Sequence, residues 1–223
     1  MRAAPPTNSR EPRYEFNEAA KRRGIRFDTA VRAALDDADL VVVSCYPFDD
    51  GAQYAALLDA VARPEQRLVV DGNPRAGMLA DRATFLANFE DLAARSLLVK
   101  VGDEDAELLL GDSLDEFVRR LGADAGGGGA VLATAGRAGA DLHADGSSVH
   151  ADIVTLPGPV IDTMGAGDAT LSAVVHHIAT NGVPQTTDAW TDALHEAMTI
   201  AAATVRHEGA LLRTPAHDPV FPS

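Results

Sequence analysis

Cysteine and lysine are the scarce residues in this chain of 223: cysteine occurs once and lysine only at positions 21 and 100. A single cysteine, Cys45, excludes a disulfide framework and a cysteine-based metal centre. Its neighbours Val41-Val42-Val43-Ser44 read as a buried strand, so an inert core thiol is expected there. Positive charge is short overall. Lys and Arg total 19 against 33 Asp and Glu, a formal net charge of −14. That argues against a non-specific nucleic-acid surface and against attraction to an anionic membrane. A polyphosphate ligand stays open, because helix N-termini and Mg2+ hold phosphate within an acidic protein. No apolar run is long enough to span a bilayer. The N-terminus lacks the apolar core of a signal peptide, so the expected location is cytoplasmic. The seven histidines show no metal-ligand spacing; the adjacent pair His176-His177 cannot face one ligand from a helix.

What is present is a run of short apolar segments alternating with helical patterns. Met1 to Arg13, rich in Pro and Arg, reads as a poorly ordered tail. Tyr14-Glu15-Phe16 alternates like a short strand. Asp28 is placed to cap a helix to Ala38, Asp49 or Asp50 a second one, and Asp81 a third to about Ala94. Asp103 and Asp112 open two short helices. Leu40–Ser44, Leu68–Asp71, Leu97–Val101 and Ala130–Ala133 read as strands. The glycine run 126–129 makes a turn, and Leu142–Val149 a hairpin about Asp145-Gly146. A last helix runs from Thr187 to about Arg206. Uninterrupted apolar strands alternating with helices predict an α/β fold, a mostly parallel sheet with helices on both faces. Ligands of such sheets bind beyond the carboxyl ends of the strands. Asp71, Lys100 and Thr134 fall at such ends, and so, on this reading, does Asp162, after an apolar segment ending at Ile161.

The stretch that organises the chain is Asp162-Thr163-Met164-Gly165-Ala166-Gly167-Asp168. Leu171, Val174, Val175 and Ile178 follow it at i, i+3, i+4 and i+7, one face of a helix. Gly165 to Asp168 therefore sit at a helix N-terminus, where free N–H groups and the helix dipole suit an anion. Asp168 puts a carboxylate in the first turn, where it can take a proton from a hydroxyl attacking phosphorus. A glycine pair and an N-cap would by themselves make only a turn. Six specified residues together arise by chance in a chain this long on the order of 10⁻⁴ to 10⁻⁵ of the time.

This stretch closely resembles the signature of the ribokinase-like (PfkB) carbohydrate kinases. The resemblance implies that Gly165, Ala166 and Gly167 line an anion hole and that Asp168 is the catalytic base. Asp71-Gly72-Asn73-Pro74-Arg75 resembles the Asp-Pro-Asn-x-Arg segment of fructokinase-like members, which implies that Asn73 and Arg75 lie near the transferred phosphate. Read alone, it is a turn with Asp71 as a cap. Lys100 opens a region similar to the family's Asn-x-x-Glu. Gly102 takes the Asn place and Asp105 the Glu place, so Asp105 either holds Mg2+ through water or only complements a helix dipole. Thr134, Gly136 and Gly139 match a Thr-x-Gly-x-x-Gly that contacts nucleotide phosphates and ribose. Ala201 to Ala210 resembles the stretch that makes room for adenine, which puts Met198 and Ala202 at the base. The family also binds a monovalent cation near the positions of Asp162 and Gly209.

The resemblance covers the family's C-terminal two-thirds. The family's opening strand, its Gly-Gly sugar motif and its lid strands have no match before Tyr14. The expected organisation is a tail over 1–13, one ribokinase-like domain over 14–214 with the lid absent or nearly so, and an irregular tail over 215–223. An apolar sheet edge left by the missing strands invites association, so a homodimer is among the expected partners. The implied activity is ATP-dependent phosphorylation of a sugar, with Mg2+ and K+ as cofactors. Two alternatives stand beside it: an inactive nucleotide-binding remnant and a nucleoside kinase of the same fold.

Overall fold

In the computed structural model, residues 17–62, 67–122 and 129–215 are described. A short α1 (Glu18–Lys21) and α2 (Thr29–Asp37) lead into β1 (Leu40–Ser44), α3 (Gly51–Ala60), β2 (Arg67–Asp71), α4 (Arg82–Ala93) and β3 (Leu98–Gly102). Next come α5 (Asp103–Leu110), α6 (Leu114–Arg120) and β4 (Ala130–Thr134). The hairpin β5 (Ala140–Ala144) and β6 (Ser147–Ala151) precedes α7 (Ala166–Asn181) and α8 (Thr187–Thr204). The expected strand at Tyr14–Phe16, the tail over 1–13, most of the glycine run and nearly all of the C-terminal tail lie outside the described residues.

The six strands form one sheet, and their order across it is their order along the chain. β1 to β4 run parallel, while β5 and β6 are antiparallel. This is the expected mostly parallel α/β sheet. Alternation along each strand sorts its side chains between two cores. Val41, Val43, Leu68, Val70, Val99 and Val101 pack with α3 to α6 around the buried rings of Phe48, Phe85, Phe89 and Phe117. Val69, Leu98, Leu132, Leu142 and Val149 face the other way, onto α7 and α8. The second cover does not reach the β1 edge, where Val42 is 48% exposed.

Local chemistry explains most element boundaries. Asp28, Asp50 and Asp81 accept backbone N–H bonds at the starts of α2, α3 and α4, as expected. Asp103 opens α5 as expected, whereas α6 begins at Leu114, two residues after Asp112. Gly102 precedes α5, and Asp105 reaches back to accept from Gly102 N at 2.8 Å. Ser113 caps α6 by accepting from Glu116 N, while Asp112 accepts from Ser113 N. Asp145 (φ +50°) and Gly146 (φ +73°) make the two-residue turn of the hairpin with both φ positive.

Two expectations fail in instructive ways. Cys45 is not sealed in the core: β1 ends at Ser44 as expected, and Cys45 turns just beyond it with φ +53°, only half-buried. The apolar segment ending at Ile161 is no strand either. Residues 152–165 form an irregular loop, and Ile161 is 55% exposed. The loop instead leans on the end of α8, where Val205 O accepts from Ile161 N (2.9 Å) and Asp162 N (3.2 Å).

Candidate functional site

Strand register fixes a row of polar side chains across the first three strands, at the carboxyl ends of β1 and β2 and in the middle of β3. Ser44 pairs with Asp71, and Asp71 with Lys100. All three share the parity of Val69 and Leu98, so they point to the α7 side of the sheet. Asp71 is fully buried and is no helix cap. Lys100 Nζ donates to its Oδ1 at 3.2 Å, and Ser44 Oγ donates to its Oδ2 at 3.2 Å. Burial pushes the Asp71 carboxyl up, and Lys100 pulls against it. Burial alone would lower Lys100, but the carboxylates of Asp71, Asp105 and Asp168 outweigh it and hold the ammonium charged.

The start of α7 lies directly on this row. A Cβ on Gly167 would stand 3.2 Å from Lys100 Nζ, so the helix approaches the ammonium as closely as it does because Gly167 has none. Gly165 adopts φ +82°, and a Cβ there would meet the Ala210 Cβ at 2.8 Å. The first turn of α7 thus presents its N–H groups above a buried cation, with Asp168 exposed beside them. Two sources of positive potential converge on one spot.

That spot is the charged end of a cavity of about 520 Å³. Gly165, Ala166, Gly167, Asp168 and Lys100 line it, and so do Asn73 and Arg75. Asn73 is buried with φ +38°, at the turn that carries Arg75 out of β2. The Cys45 thiol donates to Asn73 O at 3.7 Å, and burial raises its pKa, in keeping with an inert thiol. Thr134, Gly136 and Gly139 also line the cavity, at the turn between β4 and β5. Apolar residues line the cavity as well: Met198 and Ala202 of α8, and Ile153 and Val160 of the 152–165 loop. The structure therefore brings most of the expected site residues to one cavity. A charged end and an apolar end suit a ligand with a phosphate tail and a flat apolar head.

Asp162 and Gly209 lie outside the lining but meet each other. Asp162 Oδ2 accepts from Gly209 N at 3.1 Å, and Oδ1 accepts from Met164 N at 2.9 Å. Each oxygen keeps a lone pair, which fits a hard monovalent cation. Asp105 is buried at the cavity wall, with Asp103 and Glu104 more exposed beside it. These carboxylate oxygens fit a hydrated divalent cation. Among the described residues no cluster of three or more such side chains forms a ready-made metal cage, so a divalent ion here depends on ligand oxygens as well. Asp103, Glu104 and the loop residues Ile153 and Val160 were not legible as site residues, because only folding brings them to the cavity.

Burial pushes the Asp105 carboxyl up to about 6, with Lys100 and the Gly102 N–H acting against it. A folded pKa above the unfolded value means the native state holds the proton longer, so stability falls as pH rises from about 4 through 6. Asp105→Asn keeps an acceptor for Gly102 N and carries no charge. Expected is a variant about 3 kcal/mol more stable than the parent in urea at pH 8, with the gap down to about 1 kcal/mol at about pH 4.5 and closing below about pH 4. A gap that persists on acidification would mean that the charge of Asp105 is not what costs stability.

A family model described as pfkB family carbohydrate kinase matches residues 7–217. A comparison with curated protein sequences gives no match. Among solved structures, the Salmonella enterica aminoimidazole riboside kinase complexed with aminoimidazole riboside and an ATP analogue is similar at TM-score 0.65 and 21% identity, over 77% of this chain and 57% of that one. The Vibrio cholerae O395 fructokinase in its fructose, ADP and calcium ion bound form is similar at TM-score 0.67 and 19% identity, over 84% and 60%. A double mutant of that fructokinase, in its fructose, ADP and potassium ion bound form, gives TM-score 0.67, 19% identity and the same coverage, 84% and 60%. The chain thus spans 57–60% of the length of these relatives. Among the described residues no helix is long and apolar enough to cross a membrane.

Proposed function

The chain belongs to the pfkB family of carbohydrate kinases, and from that membership we propose that it transfers the γ-phosphoryl of ATP to a sugar hydroxyl, as a fructokinase does. The observation that carries this reading is the first turn of α7. Its N–H groups, the Lys100 ammonium beneath Gly167 and the Asp168 carboxylate meet at the charged end of one cavity. Asp168 takes the proton of the attacking hydroxyl as its oxygen bonds the γ-phosphorus and the bond to the leaving ADP breaks. The N–H groups of Gly165 to Asp168 face the charge that develops on the transferred group. Arg75 can fork onto phosphate oxygens near Asn73. Thr134, Gly136 and Gly139 would border the remaining phosphates and ribose, and Met198 and Ala202 the base.

A bound Mg2+ would neutralise charge between the phosphates. Asp105, with Asp103 and Glu104, would hold its water ligands. Asp162 and Gly209 would hold a monovalent cation, with K+ the first to try, given the potassium-bound fructokinase.

The test is ADP release from ATP with Mg2+ over a panel of ketoses, aldoses and aminoimidazole riboside, alongside calorimetric ATP binding. Expected is release that depends on a ketohexose. Release driven only by the riboside would move the assignment to a nucleoside kinase. ATP binding with no turnover on any acceptor would leave a nucleotide-binding module, the reading in which the acceptor side is incomplete.

A further inference from the structure

The loop of residues 152–165 has almost no hydrogen bonding of its own, yet it forms one wall of the apolar end of the cavity. Within it Ala166 N reaches Thr163 O and Met164 N reaches Asp162, both at its far end. Residues 152–160, which carry Ile153 and Val160, contain no regular element. The end of α8 lines the cavity too, with Met198 and Ala202, and Val205 just beyond it. One side chain joins the two. Arg206 Nε donates to Pro157 O at 3.0 Å and Nη2 donates to Leu156 O at 2.7 Å, both in the loop. Nη1 donates to Ala202 O, on the helix wall itself.

Arg206 lines the cavity, but these three bonds commit its fork of donors to main-chain carbonyls rather than to a ligand. The bonds are charge-assisted, and the guanidinium spreads its donors over three nitrogens, so it spans carbonyls that the single nitrogen of an ammonium spans less well. A helix C-terminus offers unpaired carbonyls to such a group. We propose that Arg206 is a positioning residue that sets the width of the apolar slot between the 152–160 loop and the end of α8, and so sets affinity for the base of the nucleotide. This rests on the nucleotide reading of the cavity given above. The slot is then formed before the ligand arrives, and ordering the loop does not have to be met from binding energy. The phosphate end does not depend on this residue, since its groups belong to α7, β2 and β3.

Three measurements on Arg206→Gln and Arg206→Lys test it. Amide hydrogen exchange without any nucleotide reads the loop directly. Expected is faster exchange over 153–162 in Arg206→Gln, with the amides of β2 to β4 unchanged and Arg206→Lys in between. Calorimetry then compares Mg-ATP with Mg-tripolyphosphate, which has the phosphate tail and no base. Expected is a loss of about tenfold or more for ATP and none for tripolyphosphate. Equal losses for the two ligands, or unchanged loop exchange, overturn the proposal. If the unmodified protein binds tripolyphosphate but not ATP, the nucleotide reading fails instead, and the exchange result alone decides whether Arg206 holds the loop. Should Arg206→Gln not fold, Arg206→Lys, which keeps the charge and the stem, carries the same comparison.

Discussion

Asp168→Asn is expected to lower kcat by about 10²–10⁴-fold, the range for removing a positioned general base. The amide is the same size, so the start of α7 should keep its shape. It cannot take a proton from the attacking hydroxyl. Affinity for ATP should hold or improve, because a negative charge beside the phosphate end of the cavity has been removed. ADP release under saturating acceptor and ATP gives the first number, and calorimetry gives the second. Turnover that survives the change would take the role of base away from Asp168 and leave its carboxylate with only electrostatic work. A parallel loss of ATP binding would point to a damaged helix start instead.

The second large effect concerns the pair beneath that helix. Lys100→Met keeps the length and the apolar stem of the side chain but strips Asp71 of its cation. Asp71 is fully buried, and Ser44 is then its one remaining described hydrogen-bond donor. The expected cost is about 3–5 kcal/mol in urea unfolding. Asp71→Leu should cost less, since Asp105 and Asp168 still face the lysine. The double variant, Lys100→Met with Asp71→Leu, should recover part of the loss, because Asp71 no longer strands a charge while the buried Asp105 still loses its cation. Strictly additive losses would mean that the two groups do not depend on each other. The same lysine stands 3.2 Å from where a Gly167 Cβ would be, so the double variant, though folded, should bind Mg-tripolyphosphate more weakly than the parent.

Much of this fold could be read from short-range chemistry. Asp28, Asp50 and Asp81 were legible as caps because a cap depends on a few neighbouring amides. At α6 two adjacent residues, Asp112 and Ser113, competed, and the sequence did not say which oxygen would reach the third amide. The start of α7 was legible because its glycines and its aspartate serve one local geometry. What long-range register decides was less accessible. Nothing near Asp71 announces Lys100, although parity along β2 and β3, joined to chain-ordered strands, does lead there. The segment before Asp162 misled because apolar residues that line a cavity look like residues that fill a sheet. Arg206 gave a weak signal, an arginine just past a helix end, and two of its three carbonyl partners lie about fifty positions away.

The agreement between strand order and chain order has a consequence for synthesis. As the polypeptide leaves the ribosome, each new strand from β2 to β6 meets a neighbour that has already emerged, and no strand has to wait for a distant partner or be threaded between two others. The sheet and its aromatic core can therefore form before the signature stretch is translated. α7 and α8 come last, onto a surface where Asp71 and Lys100 are already in register. A ribosome-stalled chain ending near β6 would hold an assembled scaffold with none of its anion-binding turn, so phosphate binding switches on only once α7 has emerged.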